Sequence, residues 1–317
     1  MNETILNQYN EEVGCRFFRK QKDKFIKKLI HDFQSLGYKE DIVESRKMFS
    51  STKNVVFGDL KQAKTIICVP YDTPIKVFSK KYNYYPFDIV KSQQKAFLPT
   101  FVPLLLIYLV AIIALEFVGF FIRNTMFAPF YNLGVLLVFA LLLFFAYMGI
   151  PNEKNANMYT ASVVCALSIA TALTKEEKKS IAFVFTDKNK KDHYGDKILQ
   201  RNLVVLNRNP NVICLSTIGN GKEIAVGYNN SSRKIANTFV KCVESNNKIT
   251  SNHIPEEDME KLPISYYQKS IIIACGNRNN DDKLVVENVQ NNMDTNVDVE
   301  LISCIEKGVL TFIKRSI

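Results

Sequence analysis

Histidine is scarce in this chain: His31, His193 and His253 are the only three in 317 residues. No two of them stand at metal-ligand spacing, which excludes a zinc site built mainly on imidazole. The seven cysteines form no C-x-x-C pair, and Cys68, Cys165, Cys214, Cys275 and Cys304 each sit inside an apolar run. That spacing excludes a disulfide framework and points to buried free thiols in a reducing compartment. The opening residues, MNETILNQYNEEVG, lack a basic stretch followed by an apolar one, so no cleaved signal peptide is expected. Internal repeats, a G-x-S-x-G elbow and a phosphate-loop GK[ST] are missing as well, and TIGNGKE reads as a turn. Acidic residues are the minority, 31 against 41 basic, for a net charge of +10. This excess implies an anionic neighbour, either nucleic acid or the inner leaflet of a membrane.

What is present in quantity is apolar sequence, 47% of the chain, unevenly spread. Between Lys95 and Arg123 the one charge is Glu116, and between Arg123 and Glu153 there is none. Each stretch exceeds the roughly 20 apolar residues that cross a bilayer core. The spacing predicts two transmembrane helices, 97–122 and 128–150, antiparallel because the turn between them is short. Lys80, Lys81, Lys91 and Lys95 precede the pair and Lys154 follows it, whereas the turn offers Arg123 alone. The positive-inside rule then puts the remainder of the chain and both termini in the cytoplasm, as the free cysteines also suggest. Glu116, seven residues from Arg123, reads as an interfacial carboxylate. The segment IKVFSKKYNYYPFDIVKSQQK interleaves aromatics with lysines. Beside a membrane span that pattern suits a lipid surface. It also suits single-stranded nucleic acid, but no nucleic-acid motif accompanies it, so lipid is the expected partner and nucleic acid is not.

Outside the apolar pair, residues 16–36 place Phe18, Phe25, Ile26, Leu29, Ile30, Phe33 and Leu36 near one helical face, ended by Gly37. DIVESRKMF, NVVFGDL, TIICVPYDT, IAFVFTD, VVLNR, NVICLSTIG, EIAVGYN and SIIIACG read as strands. Residues 159–173, 232–244 and 297–313 read as helices. Near-continuous apolar strands such as TIICV and IAFVF indicate a sheet buried on both faces. The expected fold is therefore α/β: a mixed, mostly parallel central sheet flanked by helices, with an inserted two-helix transmembrane hairpin. Residues 1–95 and 151–317 would form one discontinuous cytoplasmic domain, interrupted by the hairpin at 96–150 where sites occur in such folds.

The order of these segments resembles the family-twenty-eight metallopeptidases, the di-zinc aminopeptidases related to transferrin receptor and nicastrin. KFIKKLIHDFQSLGY and TKNVVFGDLKQAKTIICVPYDT are similar to the family's opening helix, its NVIA strand and its HYDT strand. PNEKNANMYTASVVCALSIATAL resembles GANDNASGVAALLEIARAL, and KKSIAFVFTDKNKKDHYGDKIL resembles RTIRFVFFDAEEEGLLGS. NVICLSTIG is similar to AVINLDMIG, and MDTNVDVELISCIEKGVLTFI to the DT…ID segment with its closing helix. The resemblance covers 20–73 and 151–315.

It implies two zinc ions and a glutamate general base in the family, and here it implies their replacement. The first histidine ligand falls on Pro70, with the nearby aspartate kept as Asp72. The bridging aspartate falls on Met158, or on Asn157 if the match slips by one. The catalytic glutamate falls on Asn189, its glutamate neighbour on Lys190, the strand aspartate on Ser216 and the last histidine near Gln290. Proline and methionine do not replace such ligands, lysine repels the ion, and asparagine takes no proton from water.

The resemblance thus implies no metal and no catalysis. A cleft of Asp72, Asp187, Lys188, Lys190 and His193 would remain, with Lys190 supplying zinc's former charge to Asp72 or Asp187. The reading is a membrane-anchored, inactive peptidase-like protein that binds or scaffolds a peptide or membrane-protein partner. The alternative is an active membrane-tethered zinc aminopeptidase with divergent ligands. A triad of His193, Ser216 and Asp187, or a dyad of Cys68 or Cys214 with His193, has no local motif behind it. NRNNDD, 277–282, reads as a solvated loop, and the wealth of Asn, Lys and Ile suggests an AT-rich bacterial genome.

Overall fold

A computed structural model describes residues 2–47, 50–122, 125–189 and 193–316. The elements in chain order are α1 (Asn2–Val13), α2 (Arg19–Ser35), β1 (Glu40–Lys47), β2 (Ser50–Phe57), β3 (Thr65–Pro70) and β4 (Asn83–Tyr84). The two apolar helices follow, α3 (Ile89–Ile122) and α4 (Ala128–Met148). After them come a π-helical turn (Ala156–Thr160), α5 (Ala161–Ala172), α6 (Lys175–Lys179), β5 (Ile181–Thr186), α7 (Tyr194–Val205), β6 (Asn211–Leu215) and β7 (Glu223–Tyr228). The last elements are α8 (Arg233–Val240), β8 (Lys248–His253), α9 (Glu256–Met259), β9 (Ser270–Arg278), β10 (Leu284–Glu287) and α10 (Val299–Ser316).

The strands make one sheet in the order β1-β2-β5-β3-β6-β9-β10-β4, with β7 and β8 joined to it through β9. Its centre, β5-β3-β6-β9, is parallel; the margins are antiparallel except for the parallel pair of β7 and β8. Alternate residues feed two cores. Ile67, Val69, Phe183, Phe185, Ile213 and Ile273 pack under α1, α2, α5, α8 and α10. Ile66, Cys68, Val184, Val212 and Ile272 pack under Leu199 and Leu203 of α7 and the 254–267 segment. Burial on both faces is why these strands read as unbroken apolar runs.

Two expectations need correction, and one element goes beyond them: the opening residues fold as α1, whose Leu6, Tyr9 and Val13 are buried. VVLNR is no strand: Val204 and Val205 end α7, and both are exposed while Ile198, Leu199 and Leu203 face inward. The first apolar helix begins at Ile89 instead of 97, because the Asp88 carboxylate accepts the Lys91 N–H at 2.9 Å and caps the turn. Lys91 and Lys95 therefore lie on α3 itself, and Lys91 points to Asp281 (3.6 Å) and the Tyr85 ring. Arg123 lies outside the described residues.

Both α3 and α4 are long and apolar enough to cross a membrane, with mean hydropathy of 2.7 and 2.2. Packing does not account for this character: 6% of one span and none of the other is buried. A core helix of such composition would be covered. Tyr131 of α4 donates to the Leu115 carbonyl of α3 at 2.5 Å, and Gly119 leaves room for its ring.

The roots of the pair are fixed by the segment after β3. Pro103 has no N–H for the carbonyl of Pro99, and Phe78 donates to that carbonyl instead at 3.3 Å. At the other root Lys76 N–H donates to the Ile150 carbonyl at 2.8 Å and Asn152 N–H to Pro74 at 3.1 Å. Gly149, at φ +75°, ends α4 where a Cβ would strike Ile75.

Candidate functional site

The carboxyl ends of β3, β5 and β6 gather most of the residues singled out by the sequence. Asp72 follows β3 and is buried. Its Oδ1 accepts from the backbone and the side-chain nitrogen of Asn189, each at 3.1 Å, while Oδ2 is buried with no hydrogen-bond partner among the described residues. Asn189 also donates to the Thr186 carbonyl at 2.9 Å, and its Oδ1 faces His193 Nδ1 at 3.1 Å. His193 sits at φ +48° before α7, with Nδ1 3.4 Å from Asp196 Oδ2. Asp196, in turn, receives Tyr267 OH at 2.9 Å and the Cys68 thiol at 3.4 Å. Hydrogen bonding to Cys214, burial and the charge of Asp196 push that thiol well above its usual range. Cys68 and Cys214 stand abreast on β3 and β6. Among the described residues the Asp187 carboxylate bonds Lys22 and the N–H groups of Lys53 and Lys188, a different set of partners from those of His193.

Asp187 is paired by Lys22 of α2, a residue the sequence did not single out. Burial raises the Asp187 carboxyl; Lys22 opposes that rise and neighbouring Asp72 adds to it. Lys190, the cation expected here, lies outside the described residues, and Lys188 takes a left-handed φ of 58° beside the carboxylate it bonds through its backbone. Because Lys22 is only 13% exposed and Asp187 3%, Lys22→Met is expected to cost about 2–3 kcal/mol by stranding a buried charge. Adding Asp187→Asn should recover part of the loss in a urea-unfolding cycle, and additive losses would contradict the pairing.

A second cation is more deeply set. Arg16 is fully buried, and its guanidinium donates to the carbonyls of Tyr71 and Val13 and to Thr160 Oγ1, over the Phe25 ring. Burial pushes it down to about 10, against the upward pull of Cys15, Asp72, Tyr9 and Asp294. Asp294, buried, accepts the N–H groups of Asn157 (2.7 Å) and Met158 (3.3 Å) at the start of the π-helical turn. Burial pushes its carboxyl up to about 7, in spite of those bonds, one from Gln290 N–H and the charge of Arg16.

The other positions close the cleft with apolar or neutral groups. Met158 packs among Val77, Tyr82, Tyr84, Val286 and Val289. Gln290, at φ +58°, brings its amide nitrogen within 4.0 Å of the Met158 sulfur. Asn157 accepts from Gly219 N–H at 2.9 Å, Ser216 is buried after β6, and Pro70 ends β3 opposite Thr186. Among the described residues no three His, Cys, Asp or Glu side chains converge as a metal-ligand set.

The cleft continues into a cavity of about 390 Å³ beneath the apolar helices. Asn189, His193, Met158 and Gln290 line one part of it; Phe97, Phe101 and Leu104 of α3 and Ala146 and Tyr147 of α4 line another. Arg16, Lys22, Asp196 and Asp294 escaped the sequence reading, since nothing local distinguishes a buried charge from a solvated one. The aspartate in MDT was visible only as part of a resembling segment.

No protein-family model matches the chain, and no curated protein matches it. Solved structures do. Porphyromonas gingivalis glutaminyl cyclase superposes with a TM-score of 0.63 at 11% identity, covering 100% of this chain and 97% of that one. A Zn-dependent exopeptidase from Parabacteroides distasonis gives 0.60 at 12% identity, covering 98% and 96%. A leucine aminopeptidase precursor from Bacteroides thetaiotaomicron gives 0.58 at 12% identity, covering 98% and 95%. At such identities the likeness is one of fold.

Proposed function

From this zinc-aminopeptidase-like fold we propose a membrane-anchored, catalytically inert binding protein, an accessory or scaffold for a peptide or membrane-protein partner. The observation that carries the reading is Met158. At the position the resemblance gives to the bridging carboxylate stands a thioether packed into an apolar cluster with Gln290 against it, and the alternative position, Asn157, carries a carboxamide whose oxygen accepts from Gly219 N–H. A thioether and a carboxamide are poor partners for zinc beside the hard and imidazole donors such sites use. Pro70 and Ser216 add no better ones, so the residues present do not fit a zinc pair. Asn189, where the general base would stand, spends its amide as a donor to Asp72 and Thr186. A carboxamide has no basicity for activating water. Two buried carboxylates beside the cleft are held by the protein's own groups: Lys22 pairs Asp187 and backbone N–H groups hold Asp294.

The proposal includes anchoring by α3 and α4, a discontinuous soluble unit of 1–95 and 151–317, and a cytoplasmic location for that unit. Exposed Lys80, Lys81 and Lys95 at the helix roots would meet anionic headgroups. The test is turnover by detergent-purified protein on aminoacyl anilides and on peptides with N-terminal glutamine, with and without added zinc. No release above the detergent blank is expected. Zinc-dependent release abolished by Asp72→Ala would establish the active alternative.

A further inference from the structure

We propose that the cavity between the helix roots and the sheet edge holds the chain of a single-chain amphiphile with an anionic head, a fatty acid in its simplest form, drawn from the bilayer. This rests on the anchoring reading above. The cavity, about 390 Å³, falls in the roughly 300–1,000 Å³ range of small-molecule sites. Its walls change character along their length. Phe97, Phe101, Leu104 and Ala146 belong to α3 and α4, whose surfaces lie uncovered and apolar, so this part is continuous with the hydrocarbon that would surround the helices. The part nearest the sheet carries the Asn189 amide, the His193 ring and Gln290.

Charge selects the head. Among the described lining residues there is one ammonium, Lys261, one imidazole, His193, and no carboxylate. A cationic amine, such as the free N-terminus of a peptide, would find no carboxylate among those lining residues, since Asp72 and Asp196 lie behind Asn189 and His193 and are bonded to them, whereas a carboxylate would meet Lys261, the His193 ring and the Gln290 amide. Asn189 is already turned toward His193 and Asp72, which keeps the ring in place as a donor for such a head. The aromatic rings of Tyr82, Tyr84 and Phe97 give the chain flat apolar contact.

The sequence contains no tryptophan, so one introduced residue is the sole indole emitter. Tyr82→Trp places it within the cavity wall, where Tyr82 is 4% exposed, and Ile113→Trp places it on the outer surface of α3, where Ile113 is 68% exposed. The probe is 9,10-dibromostearate added to each variant in nanodiscs of unbrominated phosphatidylcholine, above the pH at which the acid ionises. Saturable quenching of the Tyr82→Trp emission at low probe is expected. Lys261→Glu in that background should weaken the apparent affinity about tenfold or more, by like-charge repulsion, and the methyl ester should quench less than the acid. Quenching at Ile113→Trp without quenching at Tyr82→Trp overturns the cavity proposal and leaves the anchor intact. Failure at both positions overturns the anchor, and with it this proposal. Equal quenching of Tyr82→Trp by the methyl ester and by the acid overturns the anionic head.

Discussion

Arg16→Ala is expected to remove about 3–5 kcal/mol of stability, among the largest single losses available in this protein. The side chain is fully buried, so truncation leaves a cavity against Phe25. It also strips donors from three buried acceptors: the carbonyls of Tyr71 and Val13 and the Thr160 hydroxyl. Val13 ends α1, so the guanidinium serves as that helix's C-terminal cap. Its charge has a further role, since it favours ionised Asp294 nearby. Arg16→Met keeps most of the packing and loses the hydrogen bonds, so it should cost about half as much. Urea unfolding in detergent, followed by far-ultraviolet circular dichroism, measures both. An Arg16→Ala loss below about 1 kcal/mol would show that the buried guanidinium is not holding α1 to the sheet.

The second large effect is a pH dependence. Asp294 has a folded carboxyl pushed up to about 7 by burial. In the unfolded chain an aspartate titrates near 3.9. The folded state therefore holds the proton more tightly, and the stabilisation from this group is complete below about pH 4 and lost as pH rises through about 7. The shift corresponds to a decline on the order of 4 kcal/mol across that window. Asp187, also raised by burial, acts with the same sign. Carboxylates lowered by their partners, such as the half-buried Glu44 beside Arg46, act with the opposite one. The difference between wild type and Asp294→Asn isolates the group. The asparagine oxygen can still accept from Asn157 N–H, and the variant should lack most of the wild-type decline between pH 4 and 7. Parallel pH curves for the two proteins would contradict a protonated Asp294.

Much of the architecture was legible because periodicity and apolar runs report burial directly. TIICV and IAFVF read as fully buried strands and occupy the parallel centre of the sheet. The helical stripe of Phe25, Leu29 and Phe33 packs on it as α2. The misreadings have local causes. Leu6, Tyr9 and Val13 mark a helix too sparsely to stand out among polar neighbours, and Val204-Val205 has strand composition in a helical end. Strand β8, KITSNH, has an exposed or half-exposed surface throughout and therefore no apolar signature. At the cleft, Asp72, Asn189 and His193 were found and do share one hydrogen-bonded network. Their partners Asp196, Arg16 and Lys22 were not, because ion pairs and networks join residues far apart in the chain: Lys22 and Asp187 are 165 positions apart. The cavity joining the cleft to the helix roots was equally invisible, since it needs the tie between Phe78 and Pro99 that brings α3 onto the sheet edge.

The proposed function rests on neutral and apolar side chains standing where the resemblance puts metal ligands: Pro70, Met158, Ser216 and Gln290. Zinc content of the detergent-purified protein, measured by inductively coupled plasma mass spectrometry after dialysis against zinc at micromolar concentration, tests it most directly. The account predicts far less than one zinc per chain, unchanged by Asp72→Ala. One or two tightly held zinc ions per chain, displaced by Asp72→Ala, would contradict it.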